Sequence, residues 1–387
     1  MQLPDANSPT LHLSHPTPSE KKAIWSLNYK NWGTALTLDS YLDREIHMAT
    51  VPALSRDGGI THWVLVDSSA TPDSRLILGS CESLRKRALI ARNGQVKEVI
   101  THGIGSVFCN PEYRGKGYGN RMLRELGTKL NTWQVDNKIP GREECEFSIL
   151  YSDIGKKYYA KVGWLPFPST HIFFPPSPAP ATNGAAINGY TNGTETATRL
   201  KSEDIEVLCT LDENYIRKEL AQAKDGKTHV ALVPDYQNMQ WHHLREDFLT
   251  SQLFSKSPIT RGAIAGSPGK RVWAIWTRSL YGPVDKTESG NTLHFLRLVV
   301  EDETDVEGNV QRLRSIVKIA QKEAAEWKCL GVEMWNPTPS VKEVVSKLGI
   351  EHNEVEREKE SIASLMWYGE GNGEDLVWVG NEKFGWC

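Results

Sequence analysis

Cys109-Asn110-Pro111-Glu112-Tyr113-Arg114-Gly115-Lys116-Gly117-Tyr118-Gly119 decides how this chain is read. An apolar run, Ile104 to Cys109, leads into it, and a good helix former, Arg121 to Leu130, leads out. A strand, a glycine-rich turn and a helix in succession offer free backbone N–H groups to a phosphate. The glycines let the main chain come close because no side chain stands in the way. Arg114 and Lys116 add positive charge at the same place. The expectation is a pyrophosphate held at a helix N-terminus.

The details of the loop narrow the ligand. A Walker loop needs Gly-Lys followed by Ser or Thr, and here Gly115-Lys116 is followed by Gly117. The dinucleotide pattern G-x-G-x-x-G fails as well, because Gly115, Gly117 and Gly119 fall two apart. What fits is Arg-x-x-Gly-x-Gly at Arg114, Gly117 and Gly119, preceded by Pro-Glu-Tyr. A second stretch lies downstream. Glu146 to Tyr151 reads as a strand, and Tyr159-x-Lys161-x-Gly163-Trp164 follows on a short helix. Two motifs in this order resemble the GNAT superfamily of N-acetyltransferases. The family often has Asn seven residues before the Tyr; this chain has Ser152, which puts one pantetheine contact in doubt.

The resemblance implies an α/β (α+β) fold built on a mixed sheet, and acetyl-CoA as cosubstrate. The cofactor set carried over is Val107, Phe108 and Cys109 on the strand, Arg114, Gly115, Lys116, Gly117, Tyr118 and Gly119 in the loop, and Ser152 beyond it. The strand's free backbone groups can pair with pantetheine amides as an added strand would. Tyr159 aligns with the tyrosine that protonates the departing thiolate in many members; packing on the helix is the plainer reading, and Tyr158 is adjacent. The acceptor amine must also lose a proton. With a reference pKa near 10.4, its neutralisation at pH 7 costs about 4–5 kcal/mol. The candidates for that base are His102, equally readable as a packing residue, and the terminal carboxylate of Cys387, behind the aromatic tail Lys383-Phe384-Gly385-Trp386.

Bulk properties restrict the remaining classes. A chain of 387 residues is long enough for two cores, and its net charge of −3 gives no basic excess for nucleic acid. The six cysteines form no Cys-x-x-Cys pair, so neither metal nor a disulfide framework is expected. Met1 to Glu20 lacks an apolar signal core, and no apolar run approaches the roughly 20 residues of a membrane span. A cytoplasmic enzyme is the simplest reading.

Pro175 to Thr198 has linker composition and divides the chain. The expected units are 1–175 as the acetyl-CoA-binding GNAT domain, 176–198 as a flexible linker, and 199–387 as a degenerate GNAT-like domain for substrate recognition. Both halves read in broadly the same element order. The second half, however, carries Glu301-Asp302-Glu303-Thr304-Asp305-Val306-Glu307-Gly308 where the first has its phosphate loop. Five carboxylates there would repel a pyrophosphate. An unrelated α+β domain is the alternative. A chain ending near Pro180 is expected to keep acetyl-CoA binding, if soluble.

The layout also bears on the acceptor. An aromatic opening at Trp25 to Trp32, a GNAT half, a linker and a degenerate half resemble the fungal lysine N6-acetyltransferase group. That resemblance implies transfer to free L-lysine in lysine degradation. Free lysine needs a carboxylate for its α-ammonium and an Arg for its α-carboxylate. Glu333, Trp335, Arg297 and His294 are the candidates, each equally readable as packing. Alternatives are a protein-lysine or polyamine N-acetyltransferase, or a non-catalytic acetyl-CoA-binding module.

Overall fold

The computed structural model describes residues 3–177, 196–286, 289–371 and 373–386. Most of the expected linker, at 178–195, lies outside the described residues, as does Cys387. The first half runs β1 (Leu11–Ser14), α1 (Pro18–Trp32), α2 (Leu38–Thr50), β2 (Ile60–Asp67), β3 (Gly79–Arg92), β4 (Gln95–Phe108), α3 (Tyr118–Leu130), β5 (Cys145–Ser152), α4 (Lys157–Ala160), β6 (Leu165–Pro166) and β7 (Thr170–Phe174). The second runs β8 (Thr198–Leu200), α5 (Ser202–Gln222), β9 (Thr228–Leu232), α6 (Tyr236–Phe254), β10 (Gly262–Ala265), β11 (Val272–Ser279), β12 (Thr292–Val300), α7 (Val306–Glu326), β13 (Val332–Trp335), α8 (Pro339–Ser346), β14 (Asn353–Glu356), β15 (Ile362–Trp367) and β16 (Leu376–Val379).

Local chemistry sets several of these boundaries. The stretch from Pro18 to Thr50 forms two helices rather than one. Gly33 ends α1, because a Cβ there would stand 2.5 Å from the rings of Tyr29 and Tyr41. Thr37 then caps α2 by accepting the Ser40 amide hydrogen. The strands β3 and β4 are longer than the pattern indicated, 14 residues each, and form one hairpin. Asn93 (φ 50°) and Gly94 (φ 78°) make its two-residue turn, both in the left-handed region such a tight turn requires.

Two mixed sheets result. The first runs β1-β2-β3-β4-β5-β15-β6, with β9 pairing β3 and β16 pairing β9; the second runs β14-β7-β13-β12-β11-β10-β8. Each contains a parallel pair joined through a helix, β4 with β5 through α3 and β12 with β13 through α7. The edges of these pairs are exchanged. β15, from the second half, lies antiparallel to β5, and β7, from the first half, lies antiparallel to β13. One core packs the second sheet against α7 and α8, with Trp276, Phe295 and Leu313 at its centre. Another packs the first sheet against α3, with Met122, Leu126 and Trp164 buried. A third, around Phe147, Trp273 and Phe384, lies between the two sheets.

Candidate active site

The phosphate loop folds as its composition demands. Pro111–Tyr113 forms a 3-10 turn capped by Asn110, whose side chain accepts the Glu112 amide hydrogen. Gly115 (φ 76°) and Gly117 (φ 89°) sit where side chains are strained. Gly117 is the N-cap of α3 and supplies no side-chain cap, so the first-turn amides keep their donors for an anion. Arg114 donates from Nε to Cys109 O at 3.1 Å, which holds its charge beside the loop. Tyr118 is buried with its hydroxyl donating to Pro4 O, so only its main chain is available to a ligand. The corresponding end of α7 differs. Asp305 caps it by accepting the Gly308 amide hydrogen at 3.1 Å and also pairs with Arg312 at 3.0 Å. That helix end is already occupied by a carboxylate.

Below the loop, β4 and β5 part. Their register ends at Ile104 with Leu150, and beyond it β4 pairs only with β3. A bulge between Ser80 and Glu82 and a left-handed Ser106 (φ 52°) turn the strand outward there. The gap opens into a cleft of about 1040 Å³, lined from both halves of the chain. Val107, Phe108, Cys109, Arg114 and Gly119 line it, as do Tyr158 and Tyr159. Tyr159 is 8 % exposed, and burial raises its hydroxyl above the ordinary phenol value. It therefore stays protonated at neutral pH and can give a proton. Tyr158 stands edge-on to it at 5.2 Å, and a Cβ on Gly119 would be 2.6 Å from the Tyr158 hydroxyl.

Two acidic residues absent from the sequence-based candidates face the same region. Glu82 on β3 accepts from Ser106 Oγ at 2.7 Å and lies 3.6 Å from His62 Nε2. Burial raises its carboxyl above the usual range, against the pull of Ser106 and Arg44. Glu45 on α2 is raised likewise by burial, opposed by its ion pair with Arg44 at 2.5 Å. Burial lowers His62 to about 4, so it is neutral at pH 7. Carboxylates tuned upward beside a bulged strand are suited to accept a proton. Glu82 owes its place to the bulge between Ser80 and Glu82, which no local sequence pattern marks.

The far wall comes from the second sheet and its exchanged strands. His294 on β12 stands opposite Glu333 on β13, with Nε2 3.2 Å from Oε2. Trp335 donates from Nε1 to the same oxygen, Oε2, at 3.1 Å, and His171 of β7 lies 4.0 Å from Oε1. Burial opposes ionisation of Glu333, but these N–H donors win and hold it well below the ordinary carboxylate range. His294 is lowered by burial to about 4. Lys383 is 1 % exposed, with its ammonium over Trp335 at 4.4 Å and Trp386 at 4.1 Å. Burial lowers it to about 7, against Glu333 and Asp153.

The cleft thus brings together the loop, Val107, Phe108, Cys109, Tyr159, Glu333, Trp335 and His294. Three expected residues lie elsewhere. His102 is fully buried on β4, with Nε2 3.2 Å from Gln134 Oε1 and Nδ1 3.6 Å from Cys145 Sγ. Burial lowers it to about 4, and it does not line the cleft. The Ser152 hydroxyl donates to Gly155 O at 2.8 Å within its own turn rather than facing pantetheine. Arg297 is clamped by Asp212 at 2.8 Å and by Glu382, tying β12 to α5 and the C-terminal segment. Its guanidinium is already satisfied and cannot serve as a free anchor. The tail reaches the cleft, where Lys383 and Trp386 line it. The carboxylate of Cys387 lies outside the described residues. Among the described residues no His/Cys/Asp/Glu group is arranged to hold a metal, and no helix is long and apolar enough to cross a membrane.

The chain is similar to known proteins at three levels. It is 26% identical over 293 residues to a lysine acetyltransferase of Yarrowia lipolytica, covering 67% of this chain and 70% of that one. The crystal structure of a GCN5-related N-acetyltransferase from Anabaena variabilis shares the fold with a TM-score of 0.53 at 12% identity, over 94% of this chain and 74% of that one. An N-myristoyltransferase from Saccharomyces cerevisiae, solved with bound myristoyl-CoA, does so with a TM-score of 0.52 at 9% identity, over 100% and 89%. Residues 171–387 match the family described as LYC1 GNAT-like C-terminal domain. With more than half its length so matched and the GNAT fold across both halves, the chain belongs to the LYC1 GNAT-like family.

Proposed function

We propose that this GNAT-type acetyltransferase moves the acetyl group of acetyl-CoA to the N6 amine of free L-lysine, as an early step of lysine breakdown in the cytoplasm. The observation that carries the reading is Glu82. A half-buried carboxylate with a raised pKa stands at the bulge where β4 leaves β5, on the cleft that the glycine-rich loop opens into. The uncapped α3 N-terminus suits the pyrophosphate, and the open edge of β4 at Ser106–Phe108 suits the amides of pantetheine.

In this reading Glu82 takes the proton of the incoming ammonium, directly or through one water. The freed nitrogen lone pair attacks the thioester carbonyl, the C–S bond breaks, Tyr159 gives its hydroxyl proton to the thiolate, and the second proton shed by the new amide nitrogen returns the phenolate to its hydroxyl through water. Holding the amine beside a base offsets much of the roughly 4–5 kcal/mol that neutralisation costs at pH 7. The second half closes the cleft with Glu333, His294 and Trp335, and this enclosure suits a small acceptor better than a protein segment. The name of the Yarrowia lipolytica relative supports a lysine acceptor. The test is thiol release from acetyl-CoA with free L-lysine, a lysine-containing peptide or spermidine as acceptor. The expected result is strong preference for free lysine. Equal or better turnover of the peptide or spermidine would replace the acceptor, and hydrolysis alone would remove the transferase.

A further inference from the structure

Arg357 is not among the residues that the sequence motifs single out. It lies just past β14, on the segment that crosses from the second sheet to β15 in the first. Its backbone amide donates to Ser169 O at 2.8 Å, which fixes the main chain. The side chain is 93% buried by its 7 % exposure, and it lines the cleft. Nε and both terminal nitrogens are buried without a hydrogen-bond partner among the described residues. The guanidinium lies over the Trp335 ring at 3.8 Å. An indole face attracts a cation but accepts none of its in-plane N–H bonds. Burial lowers Arg357 to about 10, so it is still charged at neutral pH.

A buried guanidinium with every donor unused is costly unless a ligand completes it. The groups around it say which ligand. Lys383 also lies against the Trp335 ring, at 4.4 Å, and Arg245 lies over Tyr281 at 5.7 Å and Trp386 at 5.8 Å. Neither Arg357, Lys383 nor Arg245 forms an ion pair with a described carboxylate. The nearby acids are already engaged. Glu333 accepts from His294 and Trp335, and Asp153 accepts the Ser361 amide hydrogen at 3.0 Å. At the rim Glu356 and Glu358 are paired with Lys156 at 3.6 and 2.8 Å. The far end of the cleft therefore has spare cations, whereas the end beside β4 has a carboxylate without a Lys or Arg partner, Glu82.

We infer that Arg357, assisted by Lys383, receives the free α-carboxylate of the acceptor and makes the protein select a free amino acid over a peptide or a simple diamine. The inference rests on the cleft being the acceptor site. A planar guanidinium pinned on one face presents its edge for two parallel bonds to a carboxylate. Glu333 keeps Oε1, which takes no hydrogen bond from His294 or Trp335, to meet the α-ammonium. The reactive amine then extends toward Glu82. A peptide-bound lysine has no α-carboxylate, and a diamine has none either.

The test compares L-lysine, L-lysinamide and cadaverine, which keep the reactive amine but differ at the other end. The wild-type full chain should favour L-lysine by about 100-fold in kcat/KM over the other two, the size of a lost charge-assisted pair. Arg357→Met should raise KM for L-lysine by about 100-fold with a much smaller change in kcat, and bring the three acceptors close together. Arg357→Lys should recover part of the preference. Because the guanidinium makes no internal hydrogen bond, Arg357→Met should fold, which a melting curve checks. Equal wild-type use of the three acceptors, or an unchanged preference in Arg357→Met, would overturn the inference while leaving acetyl transfer standing. If no amine is acetylated, the parent reading fails; calorimetry with L-lysine then decides this one. Binding to wild type that is lost in Arg357→Met supports it, and equal or absent binding overturns it.

Discussion

Replacing Glu82 with Gln separates its chemistry from its packing. The amide keeps the side chain's size, and its oxygen can still accept from Ser106 Oγ, now 2.7 Å from Oε1. Burial of Glu82 already disfavours its charge, so a neutral amide should leave stability unchanged or slightly higher. General-base catalysis is worth roughly 10²–10⁴ in rate, about 2.7–5.4 kcal/mol of barrier. That brackets the roughly 4–5 kcal/mol needed to neutralise the amine at pH 7. Steady-state kinetics on L-lysine should show kcat down by that factor, with KM for acetyl-CoA unchanged. The pH profile gives the sign. A base works when deprotonated, so the wild-type rate should rise with pH through the raised Glu82 pKa and then level. Without the base, the variant should rise about tenfold per pH unit toward the amine's own pKa near 10.4. The deficit is thus largest near neutrality and shrinks in alkali. An Glu82→Gln enzyme with wild-type kcat and the same profile would refute the assignment; the same behaviour in Glu45→Gln alone would move the base to α2.

Three further outcomes are expected. Tyr159→Phe keeps the ring and removes the proton donor, so kcat should fall by roughly 10²–10⁴ with acetyl-CoA affinity preserved; a loss confined to Tyr158→Phe would transfer the role to its neighbour. Gly117→Val forces a branched side chain to φ 89° with a Cβ 3.2 Å from Ala6, and calorimetry should show weakened acetyl-CoA binding, against one site per wild-type chain; unchanged affinity, or two sites in wild type, would disprove the loop reading. A chain cut near Pro180 loses β15 and β9, leaving one side of β5 and of the Ala88–Arg92 stretch of β3 unpaired, and should be insoluble or unable to bind acetyl-CoA; a folded, binding fragment would show that the exchange is dispensable.

This last outcome reverses what the sequence suggested, and the reason is instructive. Local patterns placed the loop, α3, β5 and the β12-α7-β13 unit closely, because each depends on neighbours in sequence. The motif residues Arg114, Gly117 and Tyr159 were legible for the same reason. Partners across the sheets were not. Nothing local in Thr170–Phe174 or Ile362–Trp367 says that each strand completes the other half's sheet. Arg297 read as an anchor because its pairing with Asp212 and Glu382 spans 85 residues in each case. Arg357 drew no attention because its burial depends on that crossing segment. Short strands such as β14 and β16, four residues each, were too brief for any alternation to register.

The exchange has a consequence for how the chain is made. Ser148 on β5 and Tyr368, just beyond β15, share a hydrogen bond of 2.6 Å across 220 residues. A ribosome adding about 5–20 residues per second needs roughly 10–40 s to supply that distance. For all that time β5 has a bare edge, rich in apolar side chains, that can pair with another nascent copy. The cofactor cleft cannot be completed before nearly the whole chain has emerged. Folding of this protein should therefore depend on holding the first half in check during synthesis, and its yield should fall with crowding of nascent chains long before its native stability is at issue.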